Sequence, residues 1–125
     1  MATKTIQLPN IPKNSWMSWS IASQAAFNIC VTLQDSSKVY VNNQCRASTS
    51  FGYISQGYAQ VAGTGMNMVI SISSSDNIQT VLIPYSVPNP SGLNVGQGYN
   101  LLLEDSNDQD FNDLFVSIIA WQANG

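Results

Sequence analysis

Most of the acidic side chains of this 125-residue chain lie in one place. Residues 104–113 read EDSNDQDFND, and Glu104, Asp105, Asp108, Asp110 and Asp113 are five of its seven acids. Asn112 adds another side-chain oxygen, and no Lys or Arg follows Arg46. Two carboxylates about 5 Å apart repel by roughly 3 kcal/mol at an effective dielectric of 20. A compact loop holding all of these acids is therefore strongly unfavourable unless a cation or protonation removes charge. Carboxylate and amide oxygens without nitrogen or sulfur suit Ca²⁺, which accepts several oxygen ligands in tolerant geometry. So dense a set also has enough oxygens for two ions that share ligands.

A solvated acidic turn is the plain alternative. Two features weigh against it. The acids sit between two apolar segments, Tyr99 to Leu103 and Leu114 to Trp121, which requires a short, tight loop. The Asp-x-Asp-x-Asn spacing also alternates ligand with non-ligand. An EF-hand is excluded: counted from Asp108, its glycine position is Asp113 and its final glutamate position is Ile119. A glycoside hydrolase built on Glu104 and Asp108 ranks last, because crowded carboxylates suit a metal better than one raised-pKa acid beside an ionised partner. No enzymatic activity is expected.

The run LLLEDSNDQDFNDLFVSIIAWQANG, residues 101–125, resembles the calcium-dependent fucose/mannose-binding lectins of the bacterial lectin II family. That family ends in an E-D-x-x-D-x-D-[YF]-N-D loop, an apolar strand, a Trp and a terminal Gly. The resemblance implies that Glu104, Asp108, Asp110 and Asp113 hold a first calcium. Asp110, Asn112 and Asp113 would hold a second, completed by the terminal carboxylate of a neighbouring subunit at Gly125. Sugar hydroxyls would coordinate both ions beside Glu104 and Asp108, and Asp105 would accept a hydrogen bond from the sugar. A polar loop of the family corresponds to Ser20-Ile21-Ala22-Ser23. There a backbone carbonyl of Ser20 or Ile21 is the candidate metal contact, and Ser23 the candidate sugar contact. The implied function is a lectin in which one or two calcium ions bridge the loop and a monosaccharide or glycan. The rival is an adhesive or structural module in which calcium only stiffens the loop.

The rest of the chain must position this loop. Only 9% of residues are charged and 44% are hydrophobic, with a net charge of −3, so disorder is excluded and nucleic acid is a poor partner. The absence of His removes the commonest general base and transition-metal ligand. Phe27, Ile29, Val31 and Leu33 share one face with Asn28, Cys30 and Thr32 on the other, Met66, Met68, Ile70 and Ile72 flank Asn67, Val69 and Ser71, and QDSS and SSSDN mark turns. Ala22 to Ala26 reads as a loop entering a strand, and Ser86 to Asn100 as a long connection with two prolines and three glycines. The expectation is one all-β domain over residues 1–125, an antiparallel β-sandwich of eight or nine strands.

Leu114 to Trp121 is apolar on both faces, so it belongs in the middle of a sheet or against another subunit, which predicts a homodimer or tetramer. Trp16 and Trp19 could stack on a sugar but are better read as core, and Trp121 as a sheet-end or dimer contact. If Gln34 to Ser37 is the turn, Cys30 faces a residue near Val41. Cys45 then lies too far along its strand for a bridge, which predicts two reduced, packed thiols. MATKTIQLPNIPKN lacks the apolar region of a signal peptide and no segment has membrane-span length. The expectation is a protein without membrane insertion, cytoplasmic or exported by a leaderless route.

Overall fold

A computed structural model of the chain describes residues 1–73, 78–104 and 113–122. Its strands are β1 (Ala2–Gln7), β2 (Trp16–Gln34), β3 (Val39–Gln60), β4 (Asn67–Ile72), β5 (Gln79–Pro88), β6 (Asn94–Glu104) and β7 (Leu114–Trp121). Every pairing is antiparallel, and the described residues contain no helix.

β2 organises the sheet. Along one side it pairs with β3; along the other, Trp16 to Ser23 pair with β7 and Ile29 to Gln34 pair with β4. Between these stretches its register with β3 shifts after Ile21, Ser23 and Ala25, and such bulges bend a strand and raise its twist. One arm continues through β7 and β6 to β5, the other through β4 to β1. The sheet curls far enough for the side chain of Lys4 on β1 to reach across to β5, where its Nζ donates to Thr80 Oγ1 at 3.0 Å. Tyr99 of β6 also donates its hydroxyl to the Pro9 carbonyl.

Alternation decides what lies inside. Ile29, Val31 and Leu33 of β2, Met68, Ile70 and Ile72 of β4, Leu101 and Leu103 of β6, and Leu114, Val116 and Ile118 of β7 share one buried core. Each such side chain contributes about 1.5–3 kcal/mol relative to exposure.

The expected sandwich of eight or nine strands is therefore corrected to one curled sheet of seven strands among the described residues. Two expected interruptions are strand. Ala22 to Ala26 lies within β2, whose bulges spoil the alternation there without ending the strand. Ser86 to Asn100 is mostly hairpin, with β5 running to Pro88 and β6 starting at Asn94. Pro84 and Pro88 fit because β5 is an edge strand with no ladder to serve on its outer side. Asn89 closes the turn, its Oδ1 accepting from the amides of Ser91 and Leu93 at 2.9 and 3.0 Å. Gly92 supplies the φ of +84°.

The cysteines also depart from expectation: Cys30 and Cys45 form a disulfide, with Cα atoms 4.0 Å apart. The turn is one residue later than assumed, since Gln34 pairs with Val39. Register shifts on either side of Leu33 then advance β3 further, and Asn43 takes a φ of +48° within that stretch. The accumulated offset brings Cys45 directly opposite Cys30.

Leu114 to Trp121 forms β7 with the bounds read from the sequence, in mid-sheet between β2 and β6. Trp19 packs partly buried against the core, with Nε1 donating to Ser55 Oγ at 3.1 Å. Trp16 is not core: it is exposed and lies near Tyr58, ring centroids 6.2 Å apart. No helix among the described residues is long and apolar enough to cross a membrane.

Candidate functional site

The acidic segment connects β6 to β7, so its two ends are held by adjacent strands in the middle of one arm. The last pair before the loop is Leu103 with Leu114, both fully buried. One residue beyond, Asp113 donates its amide to the Leu103 carbonyl at 3.1 Å. Glu104 closes β6 in register with Gln79 and is wholly buried, at 0% exposure. The fold thus brings Glu104 and Asp113 to the two sides of the loop's base. Asp105, Asp108, Asp110 and Asn112, and the terminal Gly125, lie outside the described residues.

The polar stretch Ser20 to Ser23 runs along β2 beside β7. Ser20 and Ile21 pair with Ser117 and Val116, well inside the sheet, whereas Ser23 pairs with Leu114 at the loop's base. Ser23 is buried, and both its oxygens accept from Arg46 Nη1, the carbonyl at 2.7 Å and Oγ at 3.3 Å. The next amide, Gln24, donates to the Asp113 carbonyl at 3.2 Å.

Sequence reasoning misses Arg46 and Gln24. Arg46 is far from the acids in the chain, and nothing local to it signals that the bend of β2 and β3 brings it back. Gly52, the partner of Ser23 on β3, makes room for it: a Cβ there would sit 2.3 Å from Arg46 Nη2. Arg46 therefore supplies a positive charge one peptide group away from the acidic loop.

The other well-bonded acid, Asp35, is structural. Its carboxylate accepts from the amides of Ser37, Lys38 and Gly63 at 2.7, 2.9 and 3.0 Å, and from the Tyr40 hydroxyl. Tyr40 in turn accepts from the Ala62 amide at 2.9 Å, so the β2–β3 turn is fastened to the segment after β3. Burial alone would raise the Asp35 carboxyl, but hydrogen bonds from Tyr40, Ser37, Gly63 and Lys38 outweigh it and hold the group below its ordinary value. Burial and then the bond to Asp35 push the Tyr40 hydroxyl up to about 12. Among the described residues, no three His, Cys, Asp or Glu side chains gather as a metal site.

The side-chain donors at the β6–β7 connection are carboxylate and amide oxygens with one hydroxyl, Ser106, and include no imidazole or thiol, and Glu104 is already withdrawn from water. That chemistry fits a hard cation such as calcium.

No protein-family model and no curated protein matches the chain. Solved structures do. A high-affinity mannose-binding lectin of Ralstonia solanacearum is similar at a TM-score of 0.63 and 16% identity, over 96% of both chains. A Chromobacterium violaceum lectin, solved in complex with alpha-methyl-fucoside, gives the same values. The C-terminal domain of a Burkholderia cenocepacia lectin matches at 0.63 and 15% identity, over 95% of this chain and all of that one. At such identities the likeness is one of fold.

Proposed function

We propose that this chain is a carbohydrate-binding lectin whose β6–β7 loop holds calcium, one or two ions, through which sugar hydroxyls are bound. The observation that carries the reading is Glu104, a carboxylate with no solvent exposure at the base of a run of acids. A carboxylate wholly out of water is not a residue of a solvated turn, and its place at the head of the acidic run puts it where a shared cation would sit. The fold shared with sugar-binding lectins supports the same reading.

In this account Glu104, Asp108, Asp110 and Asp113 hold the first ion, and Asp110, Asn112 and Asp113 the second, with Gly125 of a neighbouring subunit. Bound calcium supplies coordination positions that vicinal hydroxyls of a fucose- or mannose-like sugar fill in place of water. Asp105 accepts a hydrogen bond from the sugar. Ser23 and Leu114, paired at the loop's base, fix the spacing of β2 and β7 beneath it. The protein binds and releases sugar without altering it.

The same reading includes a homodimer. On the outward face of one arm, the positions of β2, β5 and β6 in register with Phe115, Ser117, Ile119 and Trp121 carry no charged residue. Four strands spaced about 4.8 Å apart, with seven residues about 3.3 Å along each, make this face roughly 450 Å² in projection. A stable interface buries about 800 Å² of accessible area per partner, so this face forms the centre of such an interface and its rim must come from beyond these positions. Glycan-array binding with and without a calcium chelator tests the proposal: chelator should abolish the signal, and binding that survives it would place the sugar elsewhere.

A further inference from the structure

We infer that Arg46 is a positioning residue for the acidic loop, acting through the single peptide group that joins Ser23 to Gln24. That group's carbonyl accepts from Arg46 Nη1 at 2.7 Å, and its N–H donates to the Asp113 carbonyl at 3.2 Å. A peptide group is planar and stiff, so its two ends cannot turn independently. A guanidinium on the carbonyl also polarises the group and strengthens the donor at its other end. Asp113 completes the line with its own amide on the Leu103 carbonyl, beside Glu104. A fixed cation on β3 is thus tied, through β2, to the backbone on which the metal-binding carboxylates stand.

The position of this group is specified by the fold. β2 shifts register between Ser23 and Ala25, and this peptide group lies within the shift. Arg46 holds it with a second contact, Nη1 to Ser23 Oγ at 3.3 Å. Gly52 leaves the space the guanidinium fills. Calcium affinity then depends on where the guanidinium sits as well as on its charge. This effect on affinity rests on the calcium reading above, whereas the effect on the backbone does not.

The test separates charge from placement. Arg46→Met removes the charge and keeps an aliphatic stem. Gly52→Ala keeps the charge but places a methyl group where Arg46 Nη2 now lies. Lys13→Met, at an exposed residue just before β2, is the charge-matched control. Amide hydrogen exchange at Gln24 is measured without calcium, and calcium affinity by titration. Both Arg46→Met and Gly52→Ala should speed Gln24 exchange and weaken calcium binding about tenfold, with Lys13→Met unchanged in both. Arg46→Lys, which offers a charge without the planar fork, should fall between. Unchanged Gln24 exchange in Arg46→Met and Gly52→Ala overturns the inference, as does faster exchange with undiminished calcium affinity. A wild-type chain that binds no calcium defeats the calcium reading instead, and the exchange comparison still judges the hold of Arg46 on the peptide group.

Discussion

Trp16 of β2 and Trp121 of β7 are register partners at the end of the sheet away from the acidic loop, and each is 41% exposed. Two large rings side by side on an uncharged sheet face are poor surface residues for a monomer. The β7 face is predicted to be the dimer contact, and Ile119→Glu, which buries a charge there, should yield monomer at micromolar concentration. Light scattering reads the change. A wild-type chain that is itself monomeric removes the interface.

The disulfide predicts a stability effect. Cys30 and Cys45 are separated by 15 positions, and cross-linking a loop of that size stabilises by about 3 kcal/mol in the chain-entropy model. Reduction, or the double change Cys30→Ser and Cys45→Ser, should lower the denaturant midpoint and steepen the slope, because the unfolded chain without the cross-link exposes more surface. Two titratable thiols in the native, unreduced protein would contradict the pairing.

The Asp35–Tyr40 pair predicts both limbs of the pH profile. Asp35 is held below its usual value, so the stability it contributes is present above the unfolded pKa and is lost as pH falls through the folded one. Tyr40 is raised to about 12, so its contribution is present below the unfolded value and lost as pH rises through the folded one. Asp35→Asn should flatten the acid limb of this pair and Tyr40→Phe the alkaline limb. Denaturant midpoints across pH check both, and unchanged limbs in the variants would refute the assignment.

Much of this architecture is legible in the sequence because period-two burial is strong. Ile29 to Leu33, Met66 to Ile72 and Leu114 to Trp121 follow it wherever both faces of a strand differ. It fails where geometry breaks the period. The bulges of β2 around Ser23 hide a strand, and the prolines of β5 imitate a loop because an edge strand tolerates them. The disulfide was hidden for a related reason: shifts around Leu33 move Cys45 to Cys30, and no residue type announces them. At the site, Glu104 and Asp113 flank the loop's base on adjacent strands, and the other acids read as ligands lie outside the described residues. Arg46 was beyond reach because only the bend of the β2–β3 hairpin brings it there.

Calcium should stabilise the native chain. A ligand that binds only the folded state adds about 2.7 kcal/mol at a hundredfold excess over its Kd. Chelation should therefore lower the Tm, and Asp110→Ala, which removes a ligand assigned to both ions, should abolish most of the difference. A melting curve indifferent to chelator would remove calcium from the loop.

The central claim is that sugar is held through the metal. Calorimetric titration of methyl fucoside and methyl mannoside into the protein, in calcium and again in excess chelator, tests it most directly. The account predicts saturable binding of at least one of them in calcium, with the sugar recovered unchanged, and none in chelator. Equal binding in both conditions, or no binding of either sugar in calcium, would contradict it.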